Sequence, residues 1–324
     1  MKYPKVRLRR LRENPKLRAL LSEHALSKKD LVQPLFVKEG LRDPLPIRSM
    51  PGQFQQSLSS VVLEAKKIEA LGIPAILLFG IPGKKDRSGK QAFARKGVIQ
   101  KTVAAIKKSC KDLLVITDVC LCEYLDHGHC GHLKNGRVDN DSSVKTLAQV
   151  ALSHAEAGAD VVAPSDMMDG RVAAIRNVLD RKGFKDLPLI SYAVKYSSSF
   201  YAPFREAAES APEFGDRSGY QMNPANSKEA LREAQTDLAE GADILLVKPA
   251  LSYGDVISRI KEKFTCPVGA YCVSGEYSMV KAAAERGFLD EKKVVLETHL
   301  SLKRAGASLI FTYWAKDIAR WTKA

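Results

Sequence analysis

The segment AEGADILLVKP, residues 239–249, carries the pattern that decides the fold. A glycine stops a helix, and the residues after it run apolar until a lysine. Glycine at that position adopts the left-handed conformation that closes a helix end. An unbroken apolar run suits a parallel strand covered on both faces. The same phrase returns as EALGIPAILLFG (69–80), EAGADVVAPSD (156–166) and RAGASLIFTYW (304–314). Four further strand-like runs fill the gaps: LVQPLFV (31–37), DLLVITDV (112–119), LPLISYAVKY (187–196) and CPVGAYCVSG (266–275). Between them, SLSSVVLEAKKIEAL (57–71) and SSVKTLAQVALSHAEAG (142–158) space apolar residues three and four apart, as amphipathic helices do. Ser142 or Asp141 is the expected cap of the second. Eight strands alternating with helices, with echoes between the even-numbered units, predict an α/β fold of the (β/α)8 TIM-barrel type. No glycine-rich dinucleotide loop follows an early strand, which counts against an open doubly wound sheet.

Two regions fall outside that repeat. Residues 1–30 precede the first strand and are too polar for a domain, so they read as an N-terminal arm for subunit contacts, with residues 31–324 as the catalytic barrel. Residues 197–226, after the fifth strand, form a connection long enough to be an active-site lid.

The 324-residue length fits one barrel, and 45% hydrophobic with 27% charged residues is a globular composition. No apolar run reaches the roughly 18 residues of a membrane span, and the N-terminus lacks a secretory apolar stretch. A cytoplasmic protein without a membrane partner is expected. The net charge of +14 raises the question of nucleic acid. About half the excess sits in the first 18 residues, and no helix-turn-helix, aromatic RNA platform or zinc-finger spacing appears. The charge reads as a basic arm and solvated helix faces, with no nucleic-acid partner, and it also fits anionic substrates.

In a barrel, chemistry gathers at the C-terminal ends of the strands. Lys195 ends SYAVKY and Lys248 ends ILLVKP, on consecutive strands about 4.8 Å apart. Burial and a neighbouring ammonium both lower a lysine pKa, and a neutral amine attacks a ketone to form an imine. The pair suggests two Schiff-base sites for two keto substrates. After the third strand comes DVCLCEYLDHGHCGH (118–132), in which Cys120, Cys122 and Cys130 offer three thiolates. A closed structural zinc site would draw a fourth ligand from His127, His129 or His132; an open one would be catalytic. Location at the lysines' mouth favours the catalytic reading. Asp118 is placed to orient a substrate amine or shuttle a proton. Ser165 and Asp166 end the fourth strand, Ser274 the seventh, and Tyr313 lies near the end of the eighth. In the lid, Arg205, Arg217 and Gln221 are placed to take a substrate carboxylate.

Together these motifs resemble the porphobilinogen synthase (5-aminolevulinate dehydratase) family, in its zinc-dependent bacterial form, over almost the full length. The resemblance rests on RLRRLRENPKLR, LVQPLFV, DVCLCEYLDHGHCG, APSDMMDGR, SYAVKY, GDRSGYQMNP, ADILLVKP, YCVSGEY and RAGASLIFTY. It implies a lyase of tetrapyrrole (heme, porphyrin) biosynthesis that condenses two 5-aminolevulinate molecules into porphobilinogen with loss of water. It further implies that Lys248 forms the imine with the first-bound substrate and Lys195 with the second, and that Cys120, Cys122 and Cys130 hold zinc. Asp118 and Ser165 match active-site polar groups; Ser274 and Tyr313 match the first substrate's carboxylate site, and Arg205, Arg217 and Gln221 the second's. Glu233 matches the carboxylate of an activating magnesium, with Asp169 and Arg12 around it, and the implied assembly is a homo-octamer of arm-hugging dimers, with hexamers also known in the family. Two departures stand out. Ala202 replaces a glycine usual in the lid, which questions its turn, and Leu125 and Asp126 differ from residues often found in the metal loop. The nearest rival, a class I aldolase, needs neither the second lysine nor thiolate zinc.

Overall fold

The computed structural model describes residues 4–322, so the first three residues of the arm and the last two of the chain lie outside the described residues. Eight strands form the barrel: β1 (Leu31–Lys38), β2 (Ala75–Ile81), β3 (Leu114–Val119), β4 (Val161–Pro164), β5 (Ile190–Lys195), β6 (Ile244–Lys248), β7 (Val268–Tyr271) and β8 (Leu309–Phe311). All neighbouring pairs are parallel, in the order β4-β3-β2-β1-β8-β7-β6-β5. The ring closes where Val162 of β4 bridges Leu189, just ahead of β5. Each strand is almost wholly buried, because the interior side chains fill one face and helices cover the other.

The helix-stopping glycines behave as their sequence context predicts. Gly72, Gly158, Gly241 and Gly306 have φ of +74°, +97°, +106° and +108°, a region that side chains rarely enter. The helices read from periodicity are α1 (Leu58–Ala70), capped by Ser57, and α3 (Asn140–Glu156), with α2 (Val98–Ser109) between them. The cap of α3 is Asp139, whose carboxylate accepts from the Ser142 amide at 3.1 Å; Ser142 and Asp141 lie inside the helix. Ser274 needs a second correction. β7 stops at Tyr271, and Ser274 is the first residue of α6 (Ser274–Glu285), because the apolar CVS run enters a helix instead of prolonging the strand. Ser165 and Asp166 likewise lie just past the end of β4 at Pro164.

The arm packs loosely against its own barrel. A short turn at Leu8–Leu11 and a helix at Pro15–Leu20, capped by Asn14, bury no residue, and Val6, Leu8 and Leu20 are strongly exposed.

A buried ionic cluster ties the barrel wall together beneath β4 and β5. Arg171, on α4 (Arg171–Arg181), donates to Asp237 at 2.9 Å and to Ser191 of β5 at 3.1 Å. Asp237 lies on α5 (Lys228–Ala239), and Ser191 also donates to it. Asp166 stands 3.9 Å from the same guanidinium and accepts from the Met168 amide. Removing one partner of a buried pair strands the other charge, at a cost of about 3–5 kcal/mol. Arg171→Leu is therefore expected to lower stability by about that amount, read from the urea midpoint; an unchanged midpoint would show that the cluster holds nothing.

Candidate active site at the barrel mouth

Lys195 and Lys248 are direct register partners on β5 and β6. That alignment depends on a one-residue register shift: Leu245 pairs with Ser191, but Val247 pairs with Val194. Strand side chains alternate faces, so without the extra residue on β5 the two lysines would point to opposite sides. Both are about 95% buried, with exposures of 5% and 4%. The Lys248 amine sits among rings, 4.3 Å from the centroid of Tyr271, 5.0 Å from Phe204, 5.2 Å from Tyr192 and 5.4 Å from Tyr201. Burial, and then the charge of Lys195, push its pKa down to about 7. A large fraction of Lys248 is then a free amine at neutral pH.

Lys195 donates to the backbone carbonyl of Ser165, and the Ser165 hydroxyl donates to Asp118 at 3.1 Å. This chain joins β5, the exit of β4 and the end of β3. Asp118 is buried, and desolvation, reinforced by nearby Glu123, raises its pKa to about 8 in spite of both lysines. It is poised to exchange a proton near neutrality.

The loop after β3 gathers Cys120, Cys122 and Cys130, all buried, with their sulfur atoms within 4.8 Å of one another. Cys120 and Cys122 sulfurs are 3.4 Å apart. Hydrogen bonds from the other two thiols hold Cys130 well below the usual thiol range, helped by Arg217 and Lys195. A buried trio of convergent sulfurs that already favours a thiolate is a set suited to zinc. The histidines are not its fourth ligand. The ring nitrogens of His129 meet the Tyr220 hydroxyl and the Phe214 carbonyl, His132 meets Thr146, and His127 Nδ1 accepts from the His129 amide. Leu125 is buried, and Asp126 faces Arg87 at 3.9 Å, so neither departure enters the ligand set.

The lid folds over this mouth. Ser274 accepts from the Phe204 amide at 2.9 Å, pinning the lid to α6. Glu209 latches it to the barrel through Lys38 and through Gln55 at 3.2 Å, and Lys85 donates to the Glu209 carbonyl. Ala202 has φ −54° and ψ −48°, ordinary helical values, so replacing a glycine there costs the turn nothing. Arg217 donates to the carbonyls of Gly128 and Ser210, at 2.9 and 2.6 Å. Among the described residues, the buried lid donors without a partner are Arg205 Nε, Arg217 Nε, Gln221 Nε2 and the Ser210 hydroxyl. The Tyr313 hydroxyl is 3.3 Å from that of Tyr271, inside the same aromatic wall.

The sequence reading passed over several residues of this site. Tyr192 and Tyr271 belong to strand motifs already noted, and their placement around an amine follows only from closure of the barrel. Glu123, between Cys122 and Tyr124, is 97% buried, an unusual setting for a carboxylate that is visible only in three dimensions. Glu276 is fully buried and accepts from the amides of Leu251 at 2.8 Å and Val273 at 2.7 Å, tying the exits of β6 and β7 together. Glu233 and Asp169 lie away from the lysines, on a cleft of about 760 Å³ between the metal loop, the lid and α5. Arg12 belongs to the exposed arm.

A closed barrel whose mouth pairs two buried lysines, one with its pKa lowered to about 7, beside three convergent thiols has the geometry of an enzyme active site suited to imine chemistry next to a metal. The comparisons narrow the class. The family model described as "Delta-aminolevulinic acid dehydratase" matches residues 5–321. The chain is 57% identical to the Delta-aminolevulinic acid dehydratase of Methanothermus sociabilis, covering 98% of this chain and 99% of that one. It is 53% identical to that of Bacillus subtilis, covering 97% of each. In three dimensions it matches the Toxoplasma gondii ME49 enzyme, solved with the reaction product porphobilinogen, with a TM-score of 0.96 at 43% identity over 98% of this chain and 92% of that one. The chain belongs to the delta-aminolevulinic acid dehydratase (porphobilinogen synthase) family of lyases, and its cysteine cluster is of the zinc-dependent type.

The depressed Lys248 pKa has a direct consequence. The reactive form lies above the pKa, so the rate at which a small acylating reagent modifies Lys248 should rise with pH and level off above about 7. Surface lysines should keep gaining rate toward about 10.4. Site-resolved mass spectrometry reads both, and a Lys248 profile matching the surface lysines would contradict this environment.

Proposed function

We propose that the barrel mouth condenses two 5-aminolevulinate molecules into porphobilinogen, each ketone oxygen leaving as water, with both substrates held as lysine imines. The observation that carries this reading is the register pairing of Lys195 and Lys248 in one buried, aromatic-lined site beside the three thiols. Lys248, with its lowered pKa, attacks the ketone of the first substrate, and Lys195 takes the second. Holding both reactants in contact converts a bimolecular coupling into a positioned one, a gain of roughly 7–11 kcal/mol. Asp118, tuned near neutrality and bonded to Ser165, moves protons between the imines and the leaving waters. Ser274 and Tyr313 receive the first substrate's carboxylate, while Arg205, Arg217 and Gln221 receive the second's. The unpartnered lid donors support that last assignment, since they are the groups a carboxylate would satisfy. Cys120, Cys122 and Cys130 are the residues that would hold zinc, which when bound would supply Lewis acidity to polarise the second substrate or bind its amine.

The finer points of assembly belong to the same proposal. The exposed apolar residues of arm 1–30, Val6, Leu8 and Leu20 among them, support an arm that covers a neighbouring subunit, as in a homo-octamer. A hydrated magnesium at Glu233, near Asp169, is supported by the acidic lining of the 760 Å³ cleft, which leaves room for the waters such an ion keeps. Six unpaired cysteines fit a reducing cytoplasm, and among the described residues no helix is long and apolar enough to cross a membrane.

Purified protein given 5-aminolevulinate and zinc should form a pyrrole detectable with an acidic aldehyde reagent, and Lys248→Ala should reduce it to background. Chelation should abolish turnover and zinc should restore it. Full activity after chelation would confine the cysteines to structure, and full activity of Lys248→Ala would remove the imine from the account.

A further inference from the structure

Two carboxylates face the lysines, and only Asp118 has a role so far. Glu123 is 3% exposed, and its Oε1 is buried without a hydrogen-bond partner. Asp118 Oδ1 is buried and unpartnered as well. A carboxylate oxygen from each, together with the Cys120 sulfur, lies in a group spanning at most 4.8 Å. Glu123 shares this group with Asp118, which accepts from Ser165, the residue whose carbonyl receives Lys195, so it lies at the reacting end of the mouth. The cations in the neighbourhood do not satisfy these oxygens. Lys195 is committed to the Ser165 carbonyl, and Arg217 to the carbonyls of Gly128 and Ser210.

A buried carboxylate oxygen without a donor is costly, and native proteins keep such a group where a ligand completes it. Convergent acceptors at the mouth, together with unpartnered donors in the lid that folds over it, suit a molecule with a cationic amine at one end and a carboxylate at the other. We propose that Glu123 is a substrate-binding and specificity residue, which with Asp118 receives the amino group of a bound ω-amino keto acid. The inference rests on the functional reading above and deepens it: the site selects a keto acid by its amine as well as by its ketone and carboxylate. Glu123 sits inside the cysteine motif, but its role here is toward substrate.

The test compares Glu123→Gln with wild type using two probes, 5-aminolevulinate and its des-amino analogue 4-oxopentanoate as competitive inhibitor. Loss of a charge-assisted contact to the amine should raise the KM for 5-aminolevulinate about tenfold or more. The Ki of 4-oxopentanoate, which has no amine to lose, should move less than about twofold. Zinc content, measured by elemental analysis, should equal that of wild type. Equal weakening of both probes would overturn the proposal in favour of a structural role, and lost zinc would overturn it in favour of metal ligation. An unchanged KM would overturn it outright. Should Glu123→Gln fail to fold, Glu123→Ala with the same ratio of constants decides the question. Wild type that forms no pyrrole would instead sink the functional reading itself, so the two failures are distinguishable.

Discussion

The site depends on keeping an amine uncharged inside protein. Water would hold Lys248 as an ammonium, which cannot attack a ketone. The barrel removes the water, rings it with Tyr271, Phe204, Tyr192 and Tyr201, and sets a second lysine alongside. Desolvation is the largest cause of the lowered pKa and repulsion from Lys195 the next, while the opposing charges of Asp118, Cys122 and Glu123 hold it at about 7. The rest of the mouth can be understood as the apparatus that makes this burial tolerable and useful.

That apparatus is distributed over nearly every strand exit. β3 brings Asp118 and the cysteine loop, β4 the Ser165 carbonyl for Lys195, β5 and β6 the lysines, and β7 and β8 the tyrosine wall. Glu276 ties the exits of β6 and β7, while Ser274 beside it holds the lid that carries Phe204. Lid, aromatic cage and lysine are thus one mechanical unit. Below it, the Arg171 cluster fixes α4 and α5 against β5, so the floor is as constrained as the roof.

Much of this was legible in the amino-acid order, for identifiable reasons. Helix-ending glycines before apolar runs report local backbone geometry, and Gly72, Gly158, Gly241 and Gly306 behave accordingly. Strand-terminal lysines and a tight cysteine cluster are local signals too, and barrel topology converts them into neighbours. What escaped was whatever depends on register or on long-range packing. The shift on β5 that turns Lys195 to the same side as Lys248 leaves no local mark. Ser274 looked like a strand end because an apolar run continues into a helix. The histidines of the metal loop resembled ligands by spacing, yet His129 bonds the lid, His132 bonds α3, and His127 accepts from the His129 amide within the loop. Glu123 and Glu276 carry no local mark of their burial, which only the fold creates.

The central claim, that both amines act on substrate within one site, is tested most directly by borohydride reduction during turnover followed by peptide mass spectrometry. At low 5-aminolevulinate the reduced adduct should appear at Lys248, and at saturating concentration a further adduct should appear at Lys195. An adduct at Lys195 alone, or none at either lysine while pyrrole is being made, would contradict the account.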